Sequence, residues 1–415
     1  MTQYERYKQL SLAFEYTFRG IKLNHVLALD LWTLAKKGNI CSWKSLFKPF
    51  LAYNVDDIKM PLDCHFMATD YSTSGRKDHK NLFNSVISKL CDKPYVNHSL
   101  SNRLLRIHIS IHPVTFVKVL YFMLINTNKL NVSFYNKVKI ICEYIFLCNF
   151  ILDLDKRDWS KLEKYLCMCH VISIENLLTQ YFRNKGIETY SLQEGIYFVY
   201  KKNKVLGSIA YELFASDHLL CWSQYTKDEF LGFGIESSRI DIAGYPITKN
   251  LRNLKPDNNF KKCLVLLAGP VFGDVNIHLL EILNELRTQF DITLKPHPSN
   301  YEEMEEYALK NSFDIIPKSK SVVECLSPEL FDFCIAVNTT VYFESWLSGV
   351  PSVRYNDKRF DVFYGFEDLF SSKEELLSII NKYRIEPKSE NDIKAMLNYS
   401  IGFGIDNYAK ILGKD

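Results

Sequence analysis

The sequence predicts an α/β protein built of two doubly wound domains, each a parallel sheet covered by helices, facing a cleft. Three observations carry this expectation. From residue 160 onward short apolar runs alternate with helical stripes, in the strand–loop–helix order of a parallel sheet. A polar, proline-containing stretch at 250–260 interrupts that alternation, and the pattern restarts behind it, as a link between two units would make it do. The 415 residues, 47% of them hydrophobic and 24% charged, hold enough apolar material for two globular cores. The domains read as 1–250, with helical insertions, and 258–415.

Residues 1–60 mix aromatics and charge at helical intervals and read as mostly helical. Segment 63–75, DCHFMATDYSTSG, reads as a strand running into a small-residue loop that ends at Gly75. Behind it, apolar residues at 82, 83, 86, 87 and 90 form one helical stripe. Within the first domain, 162–168 is expected to be helical and 170–174 a short strand. A helix over 175–185 should stop at Gly186, and strands are expected at 187–192, 215–222 and 240–243. Thr226 is expected to cap a helix running to Leu231. Behind the link, strands are expected at 262–267, 291–294, 331–337 and 352–355. The matching helices are 275–290, 301–310 and one opened by Asn338-Thr339-Thr340 that runs to Leu347.

Net charge is only +3, but its distribution is uneven. Residues 1–150 carry 20 Lys+Arg against 10 Asp+Glu, and residues 151–415 carry 31 against 38. A basic first third suits an anionic partner, such as a lipid surface or a phosphate-bearing acceptor, although a solvated face would look the same. Nucleic acid is not the expected partner, because no aromatic-basic motif of that kind occurs. The longest apolar runs, 114–126 and 140–152, fall short of the roughly 18–20 residues that span a bilayer. They contain Lys118 and Glu143, and they read as buried helices or strands, with one face able to rest on a membrane. Eleven cysteines lie mostly in apolar runs without zinc-like spacing, as in a reducing compartment. The polar N-terminus is not a secretory signal. The expected location is therefore cytoplasmic, with contact to the inner face of the plasma membrane as an option. No metal site and no cofactor are expected.

Ligands of open parallel sheets bind at the carboxyl ends of strands, so loops behind strands nominate the site. Asn338-Thr339-Thr340 opens a helix whose free N–H groups and hydroxyls suit a diphosphate, though an ordinary Thr cap would look similar. Lys295-Pro296-His297-Pro298 holds a histidine rigidly between prolines, beside a fixed positive charge. Gln193-Glu194-Gly195 offers a carboxylate able to act as general base for an acceptor hydroxyl. Ala268-Gly269-Pro270 is a small-residue turn that a nucleotide can approach closely, without Walker or dinucleotide spacing. Glu344, in the helix behind Thr340, is placed to hold ribose hydroxyls.

The order SLQEGIY, ASDHLLCWSQYTKDEFLGFGI, IDIAGYP, LVLLAGP, LKPHPSN, NTTVYFESWLSGVP resembles bacterial GT-B glycosyltransferases of surface-polysaccharide (capsule or O-antigen) synthesis. Within these it is most similar to the group of polysialyltransferases and teichoic-acid glycerophosphotransferases. The resemblance covers about 170–355, faintly 63–90, and not 91–160. It implies Glu194 as base, His297 as the phosphate or acid residue, and Thr339 with Thr340 as phosphate cradle. Gly269, Lys295, Pro298, Asn338 and Glu344 complete the donor side, and Gly75 and Gly195 belong to acceptor-side loops. Gln193 stands where the polysialyltransferases usually have a second acidic residue, and Thr-Thr replaces their Ser-Ser, which leaves the donor open among UDP, GDP, CDP and CMP sugars. The expected activity is inverting, metal-independent transfer of a sugar from a nucleotide-linked donor to a polysaccharide or lipid-linked acceptor. The alternatives are transfer of a polyol phosphate from a CDP-linked donor, 2-epimerisation of a nucleotide sugar, and a catalytically silent glycan-binding subunit.

Overall fold

The computed structural model describes residues 1–40, 51–53, 64–70, 77–90, 94–97, 105–107, 113–126, 132–171, 173–247, 251–254, 259–322 and 324–413. Gly75 falls outside them.

Two six-stranded, wholly parallel sheets with flanking helices form the molecule. The first contains β1 (Phe66–Thr69), β2 (Tyr95–Asn97), β3 (Lys164–Cys167), β4 (Glu188–Leu192), β5 (His218–Cys221) and β6 (Ile240–Ile242), in the spatial order 2-1-3-4-5-6. The second contains β7 (Lys262–Leu266), β8 (Asp291–Lys295), β9 (Asp314–Ile315), β10 (Phe333–Ala336), β11 (Ser352–Tyr355) and β12 (Leu369–Phe370), in the order 9-8-7-10-11-12. Central strands are buried on both faces, so β10 reads as a continuous apolar run rather than an alternation.

Three local expectations are corrected. Residues 164–167 are not helical. They form β3 in the middle of the first sheet, where pairing with β1 and β4 outweighs a local pattern too short to tell strand from helix. Among the described residues of 170–174 no strand forms: 170–171 are a turn and the helix Ser173–Asn184 follows. The cap of the helix Gln224–Phe233 is Ser223, whose Oγ accepts from Thr226 N at 3.3 Å, while the Thr226 hydroxyl turns to the Tyr197 carbonyl.

The N-terminal helix Gln3–Ala13 begins with a capping box between Thr2 and Glu5. Between β2 and β3 the chain inserts two helices, Pro113–Asn126 and Phe134–Leu154. No helix among the described residues is long and apolar enough to cross a membrane. Behind β6 the chain passes to the second domain along the end of the helix Val341–Leu347, where Arg252 N donates to the Leu347 carbonyl. Gly349 follows that helix at φ +80°, and a Cβ there would lie 2.6 Å from the Asn253 carbonyl oxygen, so the crossing needs a glycine. The last two helices, Glu390–Ser400 and Asn407–Leu412, return to the first domain: Ser223 Oγ donates to the Ser400 carbonyl, and Tyr408 Oη to that of Gly244.

Candidate functional site

Strand order nominates a place for a ligand. The second sheet reverses direction between β7 and β10, and ligands of doubly wound sheets lie outside the carboxyl ends of strands at such a reversal. Gly269 follows β7 and Asn338-Thr339-Thr340 follows β10, so both flank the reversal. The loop behind β8, on the other side of β7, carries His297. At about 4.8 Å per strand, β8 and β10 stand roughly 10 Å apart. Gly269 and His297 are neighbours in fact: a Cβ on Gly269 would meet the imidazole Nδ1 at 3.5 Å.

His297 is oriented by its own loop. It caps the short turn Pro298–Asn300, its Nδ1 accepting from Ser299 N at 3.2 Å and lying 2.6 Å from Ser299 Oγ. An Nδ1 that accepts from a backbone N–H leaves the proton of the neutral ring on Nε2, so that edge is the donor. Pro298 is exposed on this turn. Lys295 is not brought to the same place. Its side chain is buried, its Nζ donates to the Pro317 carbonyl at 3.1 Å, and burial lowers its pKa.

Asn338 adopts φ +43°, a left-handed conformation that few non-glycine residues take. Its Nδ2 donates to the Asp361 carbonyl at 3.3 Å, while its Oδ1 is buried with no hydrogen-bond partner among the described residues. Thr340 occupies the N-cap position of Val341–Leu347 but makes no side-chain cap. Its Oγ1 instead accepts from Ile196 N, in the other domain, at 3.2 Å. Thr339 Oγ1 accepts weakly from Val341 N at 3.5 Å.

The loop Gln193-Glu194-Gly195 behind β4 supplies this contact. Gln193 is buried and clamps the loop, donating to the Gly195 carbonyl and accepting from Trp222 N. The neutral amide does what a second carboxylate could not, because it satisfies both a donor and an acceptor of the backbone. A Cβ on Gly195 would lie 4.0 Å from Thr340 Oγ1. Glu194 is 22% exposed in its side chain and its Oε2 lies 3.7 Å from Nδ1 of His79, an ion pair whenever that ring is protonated. Glu344 also faces across: its Oε1 accepts from Tyr245 Oη at 2.8 Å, and burial beside this carboxylate holds the phenol well above its usual range.

Two participants escaped sequence reasoning. Tyr245 sits in Gly-Tyr-Pro behind β6 and was within reach of the strand-end rule. His79, in the helix Lys77–Ile87, carries no local signal; only the fold brings it to Glu194. A further open groove of about 550 Å³ lies between the helix Gly273–Asn284 and the segment behind β11, lined by Asp274, Ile277, His278, Glu281, Asp357 and Arg359. None of the residues nominated from sequence lines it. Among the described residues no three His, Cys, Asp or Glu side chains cluster as metal ligands.

Two doubly wound domains whose strand ends oppose one another across the 193–196 and 338–344 contacts define the GT-B architecture. No family model matches the chain, and no curated protein matches it in sequence. Solved structures similar to it include the UDP-N-acetylglucosamine 2-epimerase from Rickettsia bellii, at 12% identity over 84% of this chain and 95% of that one, TM-score 0.49. The lipopolysaccharide outer core galactosyltransferase WaaB in its apo form shares 11% identity over 84% and 99%, TM-score 0.49. The UDP-GlcNAc 2-epimerase of Methanocaldococcus jannaschii, solved with UDP-GlcNAc and UDP, shares 16% over 84% and 98%, TM-score 0.49. With similarity at this level, the functional reading rests on the chain's own residues.

Proposed function

We propose that the chain is a glycosyltransferase that moves a sugar from a nucleotide-activated donor to a hydroxyl of a polysaccharide or lipid-linked acceptor. The observation that supports this reading is that the Glu194 loop of the first domain reaches Thr340 of the second beside the β7/β10 reversal, with Gly269 and His297 touching one another behind the neighbouring strands. The donor diphosphate sits on the Thr339 and Thr340 hydroxyls, with Nε2–H of His297 donating to a phosphate oxygen and Gly269 leaving room for it. The first domain presents the acceptor. Glu194 removes the proton of the acceptor hydroxyl as its oxygen attacks the anomeric carbon, the bond from that carbon to phosphate oxygen breaks, and the nucleotide leaves. A single displacement of this kind inverts the anomeric centre.

The test begins with thermal-shift screening against UDP, GDP, CDP and CMP, since a ligand that binds only the folded chain raises its melting temperature. The matching sugar donor is then incubated with and without acceptor. His297→Ala and Thr340→Val should each cut transfer at least tenfold with the fold retained by circular dichroism. Full activity in both variants ends the site assignment. An isomerised donor sugar formed without acceptor replaces transferase by epimerase.

A further inference from the structure

Tyr245 and Glu344 meet across the interdomain contact, and the first domain holds its half of the pair rigidly. Tyr245 is buried and follows Gly244, whose φ of +89° suits a glycine. A Cβ on Gly244 would lie 2.7 Å from Gly404 N, so the C-terminal return closes directly over this turn. The Gly244 carbonyl accepts from Tyr408 Oη at 2.9 Å, and Tyr245 N donates to the Gly402 carbonyl at 3.4 Å. The phenol ring packs edge-on to Trp222, with centroids 4.8 Å apart. Backbone and ring are therefore both fixed, and the hydroxyl proton is delivered to one place. A glutamate side chain has several rotatable bonds and loses much freedom when it is ordered. The phenol supplies that order for Glu344, because its proton fixes Oε1 at 2.8 Å.

Glu344 stands four residues behind Thr340, on the same helix face and one turn, about 5.4 Å, further along the axis. Both reach the other domain from that face, Thr340 to Ile196 and Glu344 to Tyr245. Glu344 is half-buried. Among the described residues it pairs with no Lys or Arg, unlike buried Asp368, which has Arg354, and its Oε2 accepts no hydrogen bond. A carboxylate only accepts, so this second oxygen suits a neutral hydroxyl and repels a phosphate. When the phosphates of a nucleotide lie on the Thr339 and Thr340 hydroxyls, the hydroxyls one turn further along the face are those of its ribose. A plain strut between the domains would explain the bond to Oε1. It would not explain a half-buried carboxylate without a cation, held still with one oxygen left over.

We infer that Tyr245 is a positioning residue for nucleotide selection: by holding Oε1 of Glu344 it keeps Oε2 ready for a ribose hydroxyl, so that the site selects ribose. This rests on the donor site proposed above. UDP, GDP, CDP and CMP are titrated into the full chain by calorimetry, and the tightest of them is compared with its 2′,3′-dideoxy form. The parent chain should prefer the ribonucleotide by about tenfold or more, because a missing hydroxyl leaves its acceptor unpaired. Glu344→Ala should bring that ratio close to one. Tyr245→Phe removes a single oxygen and keeps the ring against Trp222, and it should lower the ratio by about threefold or more through lost preorganisation. Each ratio is taken within one variant, so a general loosening of the domains cancels. Adding Tyr245→Phe to Glu344→Ala should change the ratio no further, since the phenol acts through the carboxylate. A ratio near one in the parent chain, or one that Tyr245→Phe leaves intact, overturns the inference while the donor site stands. So does a further fall in the double variant. If none of the four nucleotides binds, the donor site falls and the role of Tyr245 with it.

Discussion

Thr340 stands at the start of a helix, where a threonine ordinarily satisfies its own helix, yet its hydroxyl accepts from Ile196 of the other domain. Replacing it by Val therefore removes one interdomain hydrogen bond and no cap. The expected cost in stability is only about 1 kcal/mol, so a tenfold loss of transfer would report chemistry rather than unfolding. Asn338 combines a positive φ with an Nδ2 bond to the Asp361 carbonyl, which ties the loop behind β10 to the strap behind β11. Elsewhere single residues set the response to pH. His170 is buried, its Nε2–H donating to the Ala210 carbonyl and its Nδ1 set against Ser191 Oγ, and burial lowers its pKa to about 4. His25 is lowered to about 4 as well, by burial and then by Lys22 and Lys8. Both rings are neutral in the fold but take up protons below pH 6.5 when unfolded. Their contribution is thus complete above pH 6.5 and lost as pH falls toward 4. Denaturant midpoints should drop between pH 6.5 and 5, before most carboxylates titrate, at up to about 1.4 kcal/mol per unit for each histidine. His170→Asn, if it folds, should flatten that slope; an unchanged slope would exclude the assignment.

At the scale of elements, β3 shows how pairing decides what a short segment becomes. Residues 164–167 hold two buried apolar side chains and a buried cysteine, which either a helix or a strand could hide, and the slot between β1 and β4 makes them a strand. The helix Gln224–Phe233 is tied down through its cap. Ser223 Oγ takes the Thr226 amide and gives its own proton to the Ser400 carbonyl, so one buried hydroxyl joins this helix to the returning C-terminal helix. Ser223→Ala should cost about 1–2 kcal/mol, more than a simple cap, because the Ser400 carbonyl also loses its donor. Equilibrium urea unfolding reads this directly, and a change below about 0.5 kcal/mol would mean that the link is replaceable. The motifs behind strands were legible from sequence because the alternation marks where each strand ends. The role of Lys295 was not, since the last residue of a strand can face either side of the sheet and here it turns to Pro317.

At the scale of the molecule, a strap behind β11 holds the two domains together. Buried Arg354 pairs with Asp368 and donates to the Phe363 and Phe366 carbonyls, which fixes the course of the strap. From it Asp361 Oδ2 accepts from Lys201 N at 2.8 Å and Lys202 N at 2.7 Å, and Phe363 packs edge-on to Phe198. Asp361→Ala removes two charge-assisted bonds at an exposed junction and should loosen domain docking without unfolding either core. Calorimetry should show its melting transition broadened or split relative to the parent chain; a single sharp transition at the same temperature would show that the strap does not couple the domains. By itself the sequence determined the fold class and the strand ends behind which Glu194, Gly269, His297 and Thr340 stand, because periodicity, glycines and prolines are local signals. Only the tertiary structure decided that Thr340 is held by Ile196, that His79 stands beside Glu194 and that Lys295 does not join them. Those outcomes depend on which strands become neighbours and how two sheets meet, and the first two join residues more than a hundred positions apart, which leaves no local pattern to read.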